Sequence, residues 1–206
     1  MEVIKKYFSD LSEQQLHQLE TMMSLYPQWN EKINVISRKD ITNLEVNHIL
    51  HSLALAKMVK FMPSTSVMDL GTGGGFPGLP LAVMFPEVCF HLVDRIGKKL
   101  RVAQDIAEKA GLKNVTFQHG DVLEVKGKYH FVVSRAVMPL DDMVKLVRRF
   151  ISKDNFNAIP NGLLCLKGGY LGMELRRFRN SALVDDISNY FSEDFFKTKK
   201  IVYLPV

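Results

Sequence analysis

Asp69-Leu70-Gly71-Thr72-Gly73-Gly74-Gly75-Phe76-Pro77-Gly78 lies between the apolar pair Val67-Met68 and a second apolar run, Leu79 to Phe85. The order predicts a strand, a glycine turn and a helix start. Glycine has no side chain to block approach and takes positive φ, so a small molecule can rest on bare backbone here.

The pattern holds downstream. Apolar runs predict strands at 67–70, 88–94, 114–118, 130–134 and 162–167, with Lys200 to Leu204 as a last strand. Amphipathic stretches predict helices at 77–85, 97–110, 141–149 and 171–179. Alternation of this kind gives a mostly parallel sheet with helices on both faces. Upstream the period is helical. Ser12 and Gln15 form a capping box, after which Leu16, Leu19, Met23 and Tyr26 share a face. A second helix is expected over 44–61, with Val46, Ile49, Leu50 and Leu53 inward, until Pro63-Ser64-Thr65-Ser66 breaks it. The chain thus divides into an N-terminal helical extension, 1–62, and an α/β domain, 63–206.

The 206 residues are 47% hydrophobic and 24% charged, enough for a large core in a soluble domain. The net charge of +5 is compatible with a nucleic-acid partner without requiring one. No stretch approaches the ~20 apolar residues of a membrane span. The start, Met1 to Asp10, mixes Lys5, Lys6 and Asp10 with apolar residues and does not resemble a signal peptide. A cytoplasmic protein is expected. Cys89 and Cys165 lie in apolar runs and are expected as buried, reduced thiols.

Gly73, Gly75 and Gly78 satisfy G-x-G-x-x-G, the dinucleotide fingerprint. A diphosphate needs free N–H groups at the helix start, and Pro77 removes one. Asp69 would also repel it. An acid before the glycines suits a ligand without phosphate that carries positive charge, such as S-adenosylmethionine. Asp94 ends the next strand, where a carboxylate can accept both ribose hydroxyls of either cofactor. Asp-x-Gly-x-Gly-x-Gly resembles the first motif of Rossmann-like methyltransferases, which favours the sulfonium cofactor. Such enzymes place adenine after the following strand, here at Gly120-Asp121-Val122-Leu123. A helix cap is the other reading of Asp121.

With these residues the chain resembles the RsmG (GidB) family of ribosomal RNA methyltransferases, over most of its length. The resemblance is carried by Trp29-Asn30 with Ile33-Asn34-Val35-Ile36, and by Asn47-His48-Ile49-Leu50-His51-Ser52. It continues through Asp69 to Pro80, Leu92-Val93-Asp94 with Gly97-Lys98-Lys99, Ser134-Arg135-Ala136 and Leu166-Lys167-Gly168. The Gly-Phe-Pro-Gly run and Ser-Arg-Ala are the most specific. His51 departs from the pattern, standing where the family usually has an acid. His48 and His51 lie three apart on a helix, but no third ligand is apparent, so no metal is expected.

The resemblance implies a class I methyltransferase fold. It also implies methyl transfer from S-adenosylmethionine to N7 of one guanine in a conserved loop of small-subunit (16S) ribosomal RNA. Free rRNA or the small subunit would be the partner, the enzyme a monomer, and no membrane would be involved. Guanine N7 has an in-plane lone pair and no proton to lose, so alignment replaces acid–base chemistry. Asp69, Gly71, Gly73, Phe76, Asp94, Asp121, Val122, Leu123 and Arg135 are the expected cofactor-binding residues. Arg135 and Lys167 are the catalytic candidates. Arg135 would take the methionine carboxylate or guanine O6, or serve in a structural ion pair. Lys167 would take O6 or a phosphate, or stand solvated. Phe76 would cover the cofactor, stack the base, or pack in the core. Arg176, Arg177 and Arg179, with Lys98, Lys99, Arg101 and Arg148-Arg149, could form a phosphate track. Other readings are a methyltransferase with another substrate, a dinucleotide-binding oxidoreductase and a non-catalytic RNA-binding module.

Overall fold

The computed structural model describes residues 1–135 and 138–206. Seven strands form one sheet in the order β3-β2-β1-β4-β5-β7-β6. They are β1 (Ser66–Leu70), β2 (Cys89–Asp94), β3 (Val115–His119), β4 (Phe131–Arg135), β5 (Gly162–Gly168), β6 (Leu183–Asp186) and β7 (Lys199–Pro205). Strands β1 to β5 are parallel, while β7 runs antiparallel to both β5 and β6. The strand order reverses between β1 and β4. In open α/β sheets that reversal opens a crevice at the carboxyl ends of the strands.

Alternation along the strands feeds two apolar cores. Val67, Phe90, Leu92, Phe131, Val133, Leu164 and Leu166 face one. Met68, Leu70, Val93, Val132, Leu163 and Cys165 face the other. The first is covered by α1 (Glu2–Tyr7), α2 (Glu13–Asn30), α3 (His51–Leu53), α4 (Leu55–Met58), α5 (Gly78–Met84) and α6 (Gly97–Lys109). The second is covered by α7 (Leu140–Val147), with Leu171 ahead of the short α8 (Gly172–Leu175). Residues 1–62 therefore share one core with the sheet they cover.

The capping box is present: Ser12 Oγ accepts from the Gln15 N–H at 3.2 Å and Gln15 Oε1 from the Ser12 N–H at 2.9 Å. The Gln15 amide also donates to the Val83 and Met84 carbonyls, joining α2 to the end of α5. In α2 the buried stripe is Gln18, Leu19, Met22, Tyr26 and Asn30, so Met22 takes the place expected for Met23. The expected helix over 44–61 is instead a 3-10 turn (Ile41–Asn43), a π-helix (Glu45–Leu50), α3 and α4, ending at Met58. Its inward residues Ile49, Leu50 and Leu53 are buried, while Val46 is only partly covered. Cys165 is buried but Cys89, the first residue of β2, is exposed at the amino-terminal rim of the sheet.

Candidate active site

The glycine turn follows β1 at the strand reversal and is tied down from two sides. Asp69, fully buried, accepts the Thr72 hydroxyl at 2.6 Å and the Gly78 N–H at 2.8 Å, both through Oδ2. Its other oxygen, Oδ1, has no partner among the described residues. Burial pushes this carboxyl up to about 7, against the lowering effect of its hydrogen bonds and of Arg135. From the second side, the Val93 carbonyl accepts the Gly71 and Thr72 N–H groups, and Asp94 Oδ2 accepts that of Gly73 at 2.7 Å. Asp94 Oδ1 accepts the Ile96 N–H, also at 2.7 Å. One carboxylate thereby shapes both loops flanking the crevice.

The glycines of the fingerprint have different duties. A Cβ on Gly75 would meet Leu79 at 2.6 Å, and one on Gly78 would meet Asp69 Oδ2 at 2.7 Å, so both positions are closed by packing. At Gly73, with φ +58°, a Cβ would meet nothing within 4 Å, so space opens in front of it. The donors needed by a diphosphate are spent internally. Pro77 and Pro80 have none, Gly78 serves Asp69, and Gly71, Thr72, Gly73, Gly75, Phe76, Leu79 and Leu81 all have partners. Among the described residues of the turn only the Gly74 N–H lacks one. The helix N-terminus that would hold an anion is filled by the chain's own Asp69.

A cleft of about 640 Å³ opens over this turn. Gly71 and Gly73 line its floor and Asp94 one wall, with Ile96, Val122 and Leu146 giving apolar surface. Arg135 and Met138 stand on the β4 side, and Lys99, from the family motif Gly97-Lys98-Lys99, adds a cation. An acid beside an apolar slot, with almost no free anion-binding N–H, fits an adenosyl group without phosphate. Asp121 does not line the cleft. It caps a 3-10 turn by accepting the Leu123 N–H at 2.9 Å and pairs with Arg95. Leu123 is not in the lining either and is half exposed.

Arg135 ends β4 on the same face as Phe131 and Val133, and Leu166 is its register partner. Its guanidinium lies 4.9 Å from the centroid of Phe76, and burial pulls its pKa down to about 10. Phe76 is buried, stacked on Tyr26 at 4.7 Å and touched by His48 at 5.3 Å. The Tyr26 hydroxyl donates to the Gly74 carbonyl at 2.7 Å. Burial, then the charge of Arg135, hold His48 down to about 4 and His51 to about 3, so both imidazoles are neutral. His48 Nδ1 and His51 Nε2 are buried without a partner among the described residues.

Lys167 lies at the same sheet edge as Arg135 but on the opposite face. Its side chain is 9% exposed, and its ammonium donates to the Met138 carbonyl and to Glu174 Oε2, both at 2.8 Å. The lysine expected to meet O6, a phosphate or solvent is thus committed to a sheltered ion pair. Lys167→Met is expected to lower stability by about 2 kcal/mol, short of a fully buried pair because Glu174 is a third exposed. Calorimetry should show a melting temperature lower by roughly 4–8 °C for a chain of this size; an unchanged value refutes the role.

Residues 15–202 match the family model described as rRNA small subunit methyltransferase G (GidB). The chain belongs to this family. It is 59% identical to the Ribosomal RNA small subunit methyltransferase G of Phocaeicola vulgatus, over all of this chain and 99% of that one. It is 56% identical to the protein of that name from Parabacteroides distasonis, over 99% of this chain and 89% of the other. A solved SAM-dependent methyltransferase from Aquifex aeolicus, 15% identical, superposes with a TM-score of 0.58 over 83% of this chain and all of that one, a likeness of fold.

Within this methyltransferase the structure brings Gly71, Gly73, Asp94, Val122 and Arg135 to one cleft. Asp69 and Phe76 lie buried behind the glycine turn, and Asp121, Leu123 and Lys167 are not among the residues lining the cleft. Ala136 of the Ser-Arg-Ala motif lies outside the described residues. Tyr26, which props Gly74 and Phe76, was read from the sequence only as a core residue. A buried tyrosine needs a partner for its hydroxyl, and that was the available signal.

Proposed function

We propose that this chain transfers a methyl group from S-adenosylmethionine to N7 of a guanine in a loop of small-subunit (16S) ribosomal RNA. Membership of the rRNA small subunit methyltransferase G family over residues 15–202 carries the reading. The cleft supports it, with Asp94 placed for ribose hydroxyls, Ile96 and Val122 for adenine, and Gly73 open to the ligand. When bound, S-adenosylmethionine supplies a methyl group on a positively charged sulfur. The chain's residues align the base and exclude water. N7 already holds its lone pair, so no side chain has to remove a proton. The guanine gains positive charge as it is methylated, and His48, packed against Phe76, is neutral. Arg135, at the junction of cleft and Phe76, is assigned to the methionine carboxylate or to guanine O6, leaving N7 free.

In the same reading residues 1–62 cap the cofactor-binding unit 63–206. The enzyme acts as a cytoplasmic monomer on 16S rRNA or the small subunit. No helix among the described residues is long and apolar enough to cross a membrane. Purified protein and methyl-labelled cofactor, given either 16S rRNA or small subunits from a strain lacking the enzyme, should yield N7-methylguanosine in at least one of them, up to one per molecule. Label in a different nucleoside, or none in either substrate despite cofactor binding, refutes the assignment.

A further inference from the structure

Beyond the cleft, one exposed surface is built into its rim. β5 ends at Gly168, and Gly169 turns with φ +77° while donating its N–H to the Thr198 carbonyl at 2.9 Å. Tyr170, 91% exposed, and Met173, 80% exposed, follow on this segment. Leu171 between them is buried in the second core, and its carbonyl accepts the Leu175 N–H. The segment is therefore anchored below while two large side chains face solvent. The Lys167–Glu174 pair clamps it to the loop after β4, because Lys167 holds the Met138 carbonyl and Glu174 accepts the Leu140 N–H at 3.1 Å. Met138 lines the cofactor cleft, so the exposed ring is fixed to the cleft's own wall.

Cations follow on the same segment. Arg176 and Arg179 are exposed, and among the described residues neither has a carboxylate in salt-bridge range, whereas Arg177 is held by Asp141. An uncovered aromatic ring, followed along the same segment by unpaired guanidiniums, has the chemistry that takes single-stranded nucleic acid, rings for bases and cations for phosphates. A protein partner would call for a larger apolar centre with fewer charges.

We propose that Tyr170 and Met173 form a platform on which an unpaired nucleotide of the RNA substrate stacks, with Arg176 and Arg179 on its phosphates. This rests on the RNA reading above and names a contact outside the reaction centre. The test measures binding of labelled, protein-free 16S rRNA and of small subunits, both from a strain lacking the enzyme, with methyl transfer assayed in parallel. Tyr170→Ala should raise the Kd for both by about tenfold, the loss of one stacked base, and Tyr170→Trp should restore it. Arg176→Gln with Arg179→Gln should flatten the salt dependence of log Kd by about 1.4, two single-strand phosphates. Cofactor binding by calorimetry should be unchanged in all of these variants. An unaltered RNA Kd in Tyr170→Ala overturns the platform, as does weakening confined to intact subunits, which would indicate a ribosomal protein. Wild-type protein that binds the RNA but makes no N7-methylguanosine overturns the proposed reaction instead, and leaves the Kd comparison readable.

Discussion

Asp94→Ala is expected to weaken S-adenosylmethionine binding by about a hundredfold while leaving the fold intact. Both oxygens of this carboxylate hold backbone N–H groups at 2.7 Å, Gly73 on the β1 loop and Ile96 on the β2 loop. Charge-assisted bonds of this kind are each worth about 1.5–3 kcal/mol. Their loss frees two walls of the cleft, and the ribose hydroxyls lose their acceptor as well. A hundredfold corresponds to about 2.7 kcal/mol, less than the gross sum because water reaches these partly exposed groups. Asp94→Asn keeps one acceptor and should cost only about tenfold. Titration calorimetry reads both variants. Wild-type affinity in the alanine variant would remove Asp94 from the site.

Asp69 predicts a loss of stability. In Asp69→Ala the Thr72 hydroxyl and the Gly78 N–H remain buried without their acceptor. Each unsatisfied group costs about 1–3 kcal/mol, for a total of about 4 kcal/mol and a melting temperature lower by roughly 8–16 °C. Asp69→Asn retains an acceptor at the Oδ2 position and should fold nearly as well. The two variants also separate the effect of charge. Burial raises the folded carboxyl to about 7 from an ordinary value near 4, so between these the folded state binds the extra proton. That contribution is complete below pH ~4 and is lost as pH rises through ~7. Wild-type stability should therefore decline from pH 5 to 8 relative to Asp69→Asn. Parallel melting curves over this range would contradict a raised pKa.

Five parallel strands and the helices after β1 and β2 were legible because their apolar runs are bounded by glycine, proline or acids. The place of Asp94 at the end of the second strand was legible too, and the structure puts that carboxylate in the lining of the cleft. What failed to show depends on tertiary partners. Leu183–Asp186 has no strong period and becomes β6 only by pairing with β7. The π-helix over Glu45–Leu50 has the composition of an ordinary helix. Lys167 lies within the predicted strand, but the run's apolar composition does not reveal that it turns to the face opposite Arg135. Its partner Glu174 lies seven residues on, beyond any local rule. Asp121 fitted both a cofactor contact and a cap, and spacing alone could not separate them. Asp69 argued correctly against a diphosphate. The structure adds a reason beyond repulsion, for its carboxylate already occupies the helix start.

The position of β7 bears on how the protein is made. It lies between β5 and β6, although it follows both in the chain. Until residues 199–205 leave the ribosome, the apolar strand β5, Gly162–Gly168, has one edge paired by β4 and the other bare. Unpaired edges of this composition recruit other strands. A nascent chain stalled before residue 199 would therefore be a client for chaperones, and sheet closure would belong to the period after synthesis of β7.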